Sequence, residues 1–156
     1  MLFRSEQFNI SRTDQDAFAF RSQQRAAQAI ADGLLDIDIM PVDTLKHDEQ
    51  PRSDTTLEKL ASLKPITHPN GSITAGNASS LNDGSAVLLL ASAKAVEKYG
   101  LTPCARITGM ASAGVVPRIM GYGPVPAIEK LLARHNKTLA HIDRIEINEE
   151  IGRAHV

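Results

Sequence analysis

A single cysteine, Cys104, excludes any disulfide within the chain, and there is no tryptophan. Only two tyrosines and four phenylalanines are present, so a core must be built from Ala, Val, Ile and Leu. Charge of either sign is not in excess. Seventeen Lys and Arg stand against eighteen Asp and Glu, a net charge of -1, which gives no field for nucleic acid or a membrane surface. No apolar run approaches the roughly 18 residues of a spanning helix, and MLFRSEQFNIS lacks the apolar core of a signal peptide. The five histidines, at 47, 68, 135, 141 and 155, show no metal-ligand spacing with each other or with Cys104. These absences leave an ordinary chain of one-domain length, expected in the cytoplasm, with no metal site.

What is present begins with helix punctuation. Ser11 and Asp14 have capping-box spacing, and an approximate stripe of Ala17, Phe20, Ala27, Ile30 and Ala31 follows, stopped by Gly33. Leu35 to Met40 alternates apolar and acidic residues before Pro41 and reads as a short strand. Residues 43–54 are a polar loop. Thr55-Thr56-Leu57-Glu58 reads as a second capping box opening a short helix that Pro65 ends. Residues 65–77, with two prolines and two glycines, form a long irregular connection. The apolar run Ala86 to Ala91 then reads as a strand covered on both faces. A helix is predicted from Ser92 to Tyr99 with Gly100 as its stop, a strand from Ala105 to Met110, a helix ending near Asn136, a turn from Thr138 to Ile142, and a last strand from Arg144 to Asn148. This order implies an α/β fold with helices layered on a sheet.

Chemistry has few footholds. Cys104 has no activating pattern around it and reads as packing. TAGNASSLNDGSA, from Thr74 to Ala86, concentrates small and hydrogen-bonding residues: either a ligand approaches the backbone there, or the stretch is a capped turn feeding the next strand. It lacks the glycine spacing and lysine of a phosphate loop. MGYGPVPA, from Met120 to Ala127, places two glycines before a proline-started helix, whose N-terminus could face a ligand or merely begin efficiently. Asn148-Glu149 ends the last predicted strand, a common ligand position in α/β sheets and also an ordinary polar end.

Taken together and in order, SRTDQDAFAFRSQQRAAQAIADG, PRSDTTLEKLASLKP, GSITAGNASSLNDGSAVLLLAS, GMASAGVVPRIMGYGPVPA and RIEINE resemble the central portion of a thiolase, from Glu6 to Glu149. Within that family PRSDTTLEKLASLKP, GLTPCARITGMASAG and GPVPAIEKLL are similar to the branch of degradative acetyl-CoA acyltransferases that includes the β-ketoadipyl-CoA thiolases. The resemblance implies a thiolase-like α-β-α-β-α layered fold, here incomplete, and an enzyme assembling as a homo-oligomer, dimer or tetramer, when intact. It implies CoA-dependent cleavage of a 3-oxoacyl-CoA: an active cysteine takes the acyl group, acetyl-CoA leaves, and free CoA accepts the acyl group. Coenzyme A is a co-substrate, and no cofactor is bound permanently.

Residue roles follow from the same resemblance. Arg52 matches an arginine at the adenine-nucleotide end of CoA, and Ala75 and Ser79 match residues lining the pantetheine arm. Met120 matches a methionine of the reaction pocket. Asn148 matches the asparagine that holds a water in an oxyanion hole, a role suited to a fixed donor. Departures are equally informative. The Cys-x-Ser-Gly nucleophile and the Gly-His-Pro histidine do not occur in these 156 residues. Thr67 stands where some members place an aromatic against the CoA base. The chain alone is therefore expected to be inactive. Alternatives are a non-catalytic acyl-CoA or lipid-binding relative and a biosynthetic acetoacetyl-CoA thiolase. The expected organisation is a loop-domain portion at 6–74, the end of the N-terminal thiolase half at 75–103 and the start of the C-terminal half at 104–149. EIGRAHV reads as a translated sequencing adapter and LFRS as its opposite-strand counterpart, so residues 1–5 and 150–156 are expected to be non-native.

Overall fold

Helix α1, Arg12–Ala31, begins where Ser11 and Asp14 satisfy each other. The Asp14 amide donates to Ser11 Oγ at 3.1 Å, and the Ser11 amide donates to Asp14 Oδ2 at 3.0 Å. Its far end is a two-bond Schellman closure. Gly33, at φ +67°, donates to Ile30 O (3.0 Å), and Leu34 donates to Ala29 O (3.0 Å). The same closure ends α3, Ala93–Tyr99, through Gly100 at φ +59°, and α4, Pro124–Arg134, through Asn136 at φ 50°. The short α2, Leu57–Ser62, and two 3-10 segments, Pro117–Tyr122 and Leu139–His141, complete the helical elements. This computed structural model describes residues 8–80 and 82–148. The expected non-native ends, Glu149 and the leucine of LNDG lie outside the described residues.

The cap of α1 makes a pH prediction. Asp14 accepts from the Ser11 hydroxyl and then from the Ser11 amide, and both bonds hold its carboxyl below the ordinary 3.8. A carboxyl depressed in the folded state stabilises α1 above the unfolded value and loses that contribution as pH falls through the folded one. Helical circular dichroism is expected to fall on acidification below about 3.8, and less steeply in Ser11→Ala, which removes the leading cause. A profile identical in both proteins would refute the assignment.

Three expectations are corrected. The second cap is Thr56, whose hydroxyl accepts from the Lys59 amide at 3.2 Å; with Lys59 at the third position there is no reciprocal box. The strand expected at 35–40 is a series of turns, with Asp36 N donating to Gly33 O and Asp38 N to Leu35 O. Its backbone groups are consumed locally, and Ile37 (91% exposed) has no buried face to turn inward. The strands expected at 86–91, 105–110 and 144–148 have no ladder partners among the described residues. Among the described residues the one β-type pairing is an isolated bridge between Val42 and Leu45. A strand is defined by its neighbours, and none is paired with these segments.

The chain divides into two compact units: residues 8–80, Pro117–Ile119 and Asn148 belong to one, residues 82–116 and Met120–Ile147 to the other. In the first, α1 and α2 pack together, and Leu60, Ile73, Thr74 and Asp16 are buried. In the second no described residue is buried. There α4 fastens the preceding segment by its basic side chains, Lys130 Nζ donating to Ser112 O and Arg134 Nη1 to Met110 O, both at 3.1 Å.

The face of α1 turned inward also differs from the expected apolar stripe. Ala17, Ile30 and Ala31 are exposed, whereas Asp16 is buried and Arg12 and Gln23 are half-buried. These three lie on one side of the helix at i, i+4 and i+11. Polar partners from other parts of the unit hold that side, where Phe20 and Ala27 of the expected stripe are also half-buried.

Candidate functional site

A pocket of about 680 Å³ opens in the first unit, a size suited to a small-molecule ligand. Its apolar surface comes from Leu60, Leu63 and Ile66, and its opposite character from Arg52 and Lys59, with the amides of Gln23 and Gln50 and the hydroxyls of Thr55, Ser79 and Ser80. Among the described residues no carboxylate lines it. Arg52 and Lys59, the second paired with Asp54 outside the lining, favour an anionic ligand group, and the apolar side chains favour a ligand that is not anionic throughout.

The sequence builds these walls by local rules. Capped by Thr56, α2 presents Lys59, Leu60 and Leu63. Arg52 precedes it, its amide donating to Gln23 Oε1 of α1 at 2.7 Å and its Nη1 to Glu49 O at 2.9 Å. Those bonds fix the backbone and one guanidinium N–H. The remaining donors of the fork suit a phosphate. Lys59 Nζ donates to Asp54 Oδ2 at 2.7 Å, and this bond is the leading cause that lowers the Asp54 carboxyl from 3.8. Both side chains are well exposed, so the pair is a weak surface bridge that an anion can displace.

The third wall is the small-residue stretch. Thr74 and Asn77 close a turn: Thr74 N donates to Asn77 Oδ1 (2.8 Å), Gly76 N to Thr74 Oγ1 (3.2 Å) and Asn77 N to Thr74 O (3.3 Å). Gly76 lies close to α2: a Cβ there would stand 2.5 Å from Leu60 Cδ2 and 2.7 Å from Leu63 Cδ1, so both leucine side chains would have to shift. The turn is thereby pressed against α2, and Ala75, Ala78, Ser79 and Ser80 line the pocket. Asn77 offers nothing to a ligand. Its amide nitrogen donates to Asp16 Oδ1 and Ser72 O, both at 2.9 Å, and its oxygen is already engaged.

Arg52, Ala75 and Ser79, singled out from the sequence, thus line one pocket. Met120 and Asn148 are not among its lining residues. Met120 lies in the second unit with its carbonyl accepting from Gly123 N at 2.9 Å, and Asn148 is exposed. Cys104 is an exposed free thiol. Among the described residues no helix is long and apolar enough to cross a membrane. The residues that reading the sequence missed are Arg12, Asp16 and Gln23. The available signal was the Arg12–Asp16 spacing of four, a 2.7 Å ion pair in the fold.

Comparison with known proteins bears on the family of the chain. The family model for the N-terminal domain of thiolase matches residues 4–94, and that for the C-terminal domain matches residues 101–155. A β-ketoadipyl-CoA thiolase of Pseudomonas aeruginosa is 58% identical over 153 residues, covering 93% of this chain and 38% of the relative. Human mitochondrial 3-ketoacyl-CoA thiolase, solved in complex with CoA, superposes with a TM-score of 0.85 at 40% identity, over 94% of this chain and 38% of that one. A Bacillus anthracis acetyl-CoA acetyltransferase gives a TM-score of 0.82 at 47% identity, over 94% of this chain and 39% of that one. The chain spans about 38% of the length of the relative it matches at 58% identity. With both domain models matched in order and the thiolase fold reproduced at this level, the chain belongs to the thiolase family.

Proposed function

We propose that this chain supplies the coenzyme-A-holding wall of a thiolase that cleaves a 3-oxoacyl-CoA, 3-oxoadipyl-CoA in particular, to acetyl-CoA and a shortened acyl-CoA. The observation that carries the reading is the gathering of Arg52, Ala75 and Ser79 in one anion-favouring pocket. Arg52 meets the phosphates of the nucleotide end. The backbone at Ala75 and the Ser79 side chain border the pantetheine arm, against the apolar surface of Leu60, Leu63 and Ile66. Met120 belongs to the reaction pocket, and Asn148 fixes a water for the oxyanion of the thioester.

The reaction breaks the bond between C2 and C3 of the 3-oxoacyl thioester. A cysteine thiolate attacks C3, acetyl-CoA departs as its enolate and is protonated, and the thiolate of free CoA then displaces the acyl group from the cysteine. Neither the nucleophile nor the histidine base occurs in this chain's motifs, so these come from a part of the enzyme beyond it, and the chain by itself does not turn over. The enzyme works in the cytoplasm as a homo-oligomer, with CoA and acyl-CoA as its partners.

The test is a chimera: residues 6–148 replace the matching stretch of the Pseudomonas aeruginosa relative, and loss of 3-oxoadipyl-CoA is followed with and without CoA. CoA-dependent turnover within about tenfold of the parent is expected, while Arg52→Ala in the chimera raises KM for CoA. A folded chimera that binds CoA without turnover would favour the non-catalytic reading. One that does neither would overturn the proposal.

A further inference from the structure

The pocket's three walls come from distant parts of the first unit, and one part-buried ion pair joins them. Asp16, 4% exposed, divides its carboxylate: Oδ2 accepts from Arg12 Nε at 2.7 Å and Oδ1 from Asn77 Nδ2 at 2.9 Å. Arg12 extends the link, its Nη2 donating to Leu60 O at 2.6 Å and Leu63 O at 3.1 Å, the carbonyls that end α2. A carboxylate and a guanidinium thus fasten α1 to the end of α2 on one side and to the Thr74–Asn77 turn on the other. Neither Arg12, Asp16 nor Asn77 lines the pocket. Farther along α1 and on the same side, Gln23 holds the backbone of Arg52 at 2.7 Å. Seven residues of helix separate Asp16 from Gln23, about 10 Å at 1.5 Å per residue. A rigid helix of fixed length therefore spaces the turn that carries Ala75 from the arginine at the other wall.

We propose that Asp16 is a positioning residue for coenzyme A: by binding Arg12 and Asn77 at once it sets the separation of the Ala75–Ser79 wall from α2 and from Arg52. Burying two charges is costly, and an apolar pair of similar volume often serves stability as well. What an apolar pair lacks is direction. Asp16 holds the Asn77 amide in the orientation that leaves Asn77 Oδ1 for the Thr74 amide, and this orientation shapes the turn. The effect on ligand is exerted wholly through Asn77 and α2. This inference rests on the pocket being the CoA site.

Asp16→Asn, Asn77→Asp and the double variant, all made in the chimera, separate positioning from bulk stability. Asp16→Asn leaves one acceptor oxygen for two donors, Arg12 Nε and Asn77 Nδ2, and Asn77→Asp sets two carboxylates against each other; the double variant again faces a donor at 16 with an acceptor at 77, while the Ser72 carbonyl loses its donor. Each single change is expected to raise KM for CoA about tenfold with kcat per folded enzyme within about twofold, and the double variant to recover part of that rise. A purely structural role would reduce the yield of folded enzyme and leave KM unchanged, and that result, or a double variant no better than the poorer single one, overturns the proposal. Where Asp16→Asn does not fold, Arg12→Lys keeps the charge but loses the fork: a raised KM supports the proposal and an unchanged one overturns it. A parent chimera without CoA-dependent turnover would instead remove the reading of the pocket, which keeps the two failures distinguishable.

Discussion

Asp16→Ala is expected to destabilise the first unit by about 3 kcal/mol, the low end of the cost of removing one partner from a buried ion pair. The side chains of Asp16 and Arg12 are 6% and 26% exposed, so solvent compensates the guanidinium left behind only in part, although that group keeps the Leu60 and Leu63 carbonyls. Asn77 Nδ2 also loses an acceptor, and that donor is half-buried beside the fully buried Thr74. A loss of this size is a large fraction of the stability of a small unit, commonly about 5–15 kcal/mol. Amide hydrogen exchange gives the local readout. Thr74 N–H, which donates to Asn77 Oδ1, should pass from protected to near the rate of an unfolded peptide. Arg12→Met with Asp16→Leu removes both charges and should retain more protection than Asp16→Ala alone. Equal loss in the two proteins would show that the pair's charge balance is not what holds the turn.

That dependence was invisible in the sequence for a physical reason. Periodicity assigns carboxylates to the solvent side, and Asp16 is buried by Asn77, 61 residues away in the chain. No local pattern carries that information. Helix ends are the opposite case. Ser11 with Asp14, Gly33, Ser92 and Gly100 act within a few residues of themselves, and each is where sequence reading put it. Thr56 displaced Thr55 as a cap because adjacent threonines satisfy the same rule and only the fold shows which hydroxyl meets the Lys59 amide. Arg52, Ala75 and Ser79 were found through resemblance to the thiolase family. Composition and spacing alone left their stretch between a ligand wall and a plain turn. The fold contains both: Asn77 and Thr74 make the turn, and Ala75 and Ser79 face the pocket it forms.

The apolar run at 86–91 carries the second large prediction. Its sequence is that of a strand covered on both faces, yet Val87, Leu88, Leu89 and Leu90 are 94%, 86%, 85% and 74% exposed, with no ladder partner among the described residues. Exposing four consecutive large apolar side chains forgoes about 1.5–3 kcal/mol each relative to burial. Unpaired backbone beside them is also a template for another chain. The purified 156-residue chain is therefore expected to self-associate at micromolar concentration and to melt over a broad range. Leu88→Lys with Leu90→Glu should shift sedimentation toward monomer without altering Thr74 protection, because the run and the Asp16 network belong to different units. The chimera supplies the complementary arm. If its additional length covers the run, it should melt sharply and lose the concentration dependence, and there the same two charged substitutions should become strongly destabilising. A sharp, concentration-independent two-state melt of the chain alone would mean that the run is already buried, and would remove the basis for both expectations.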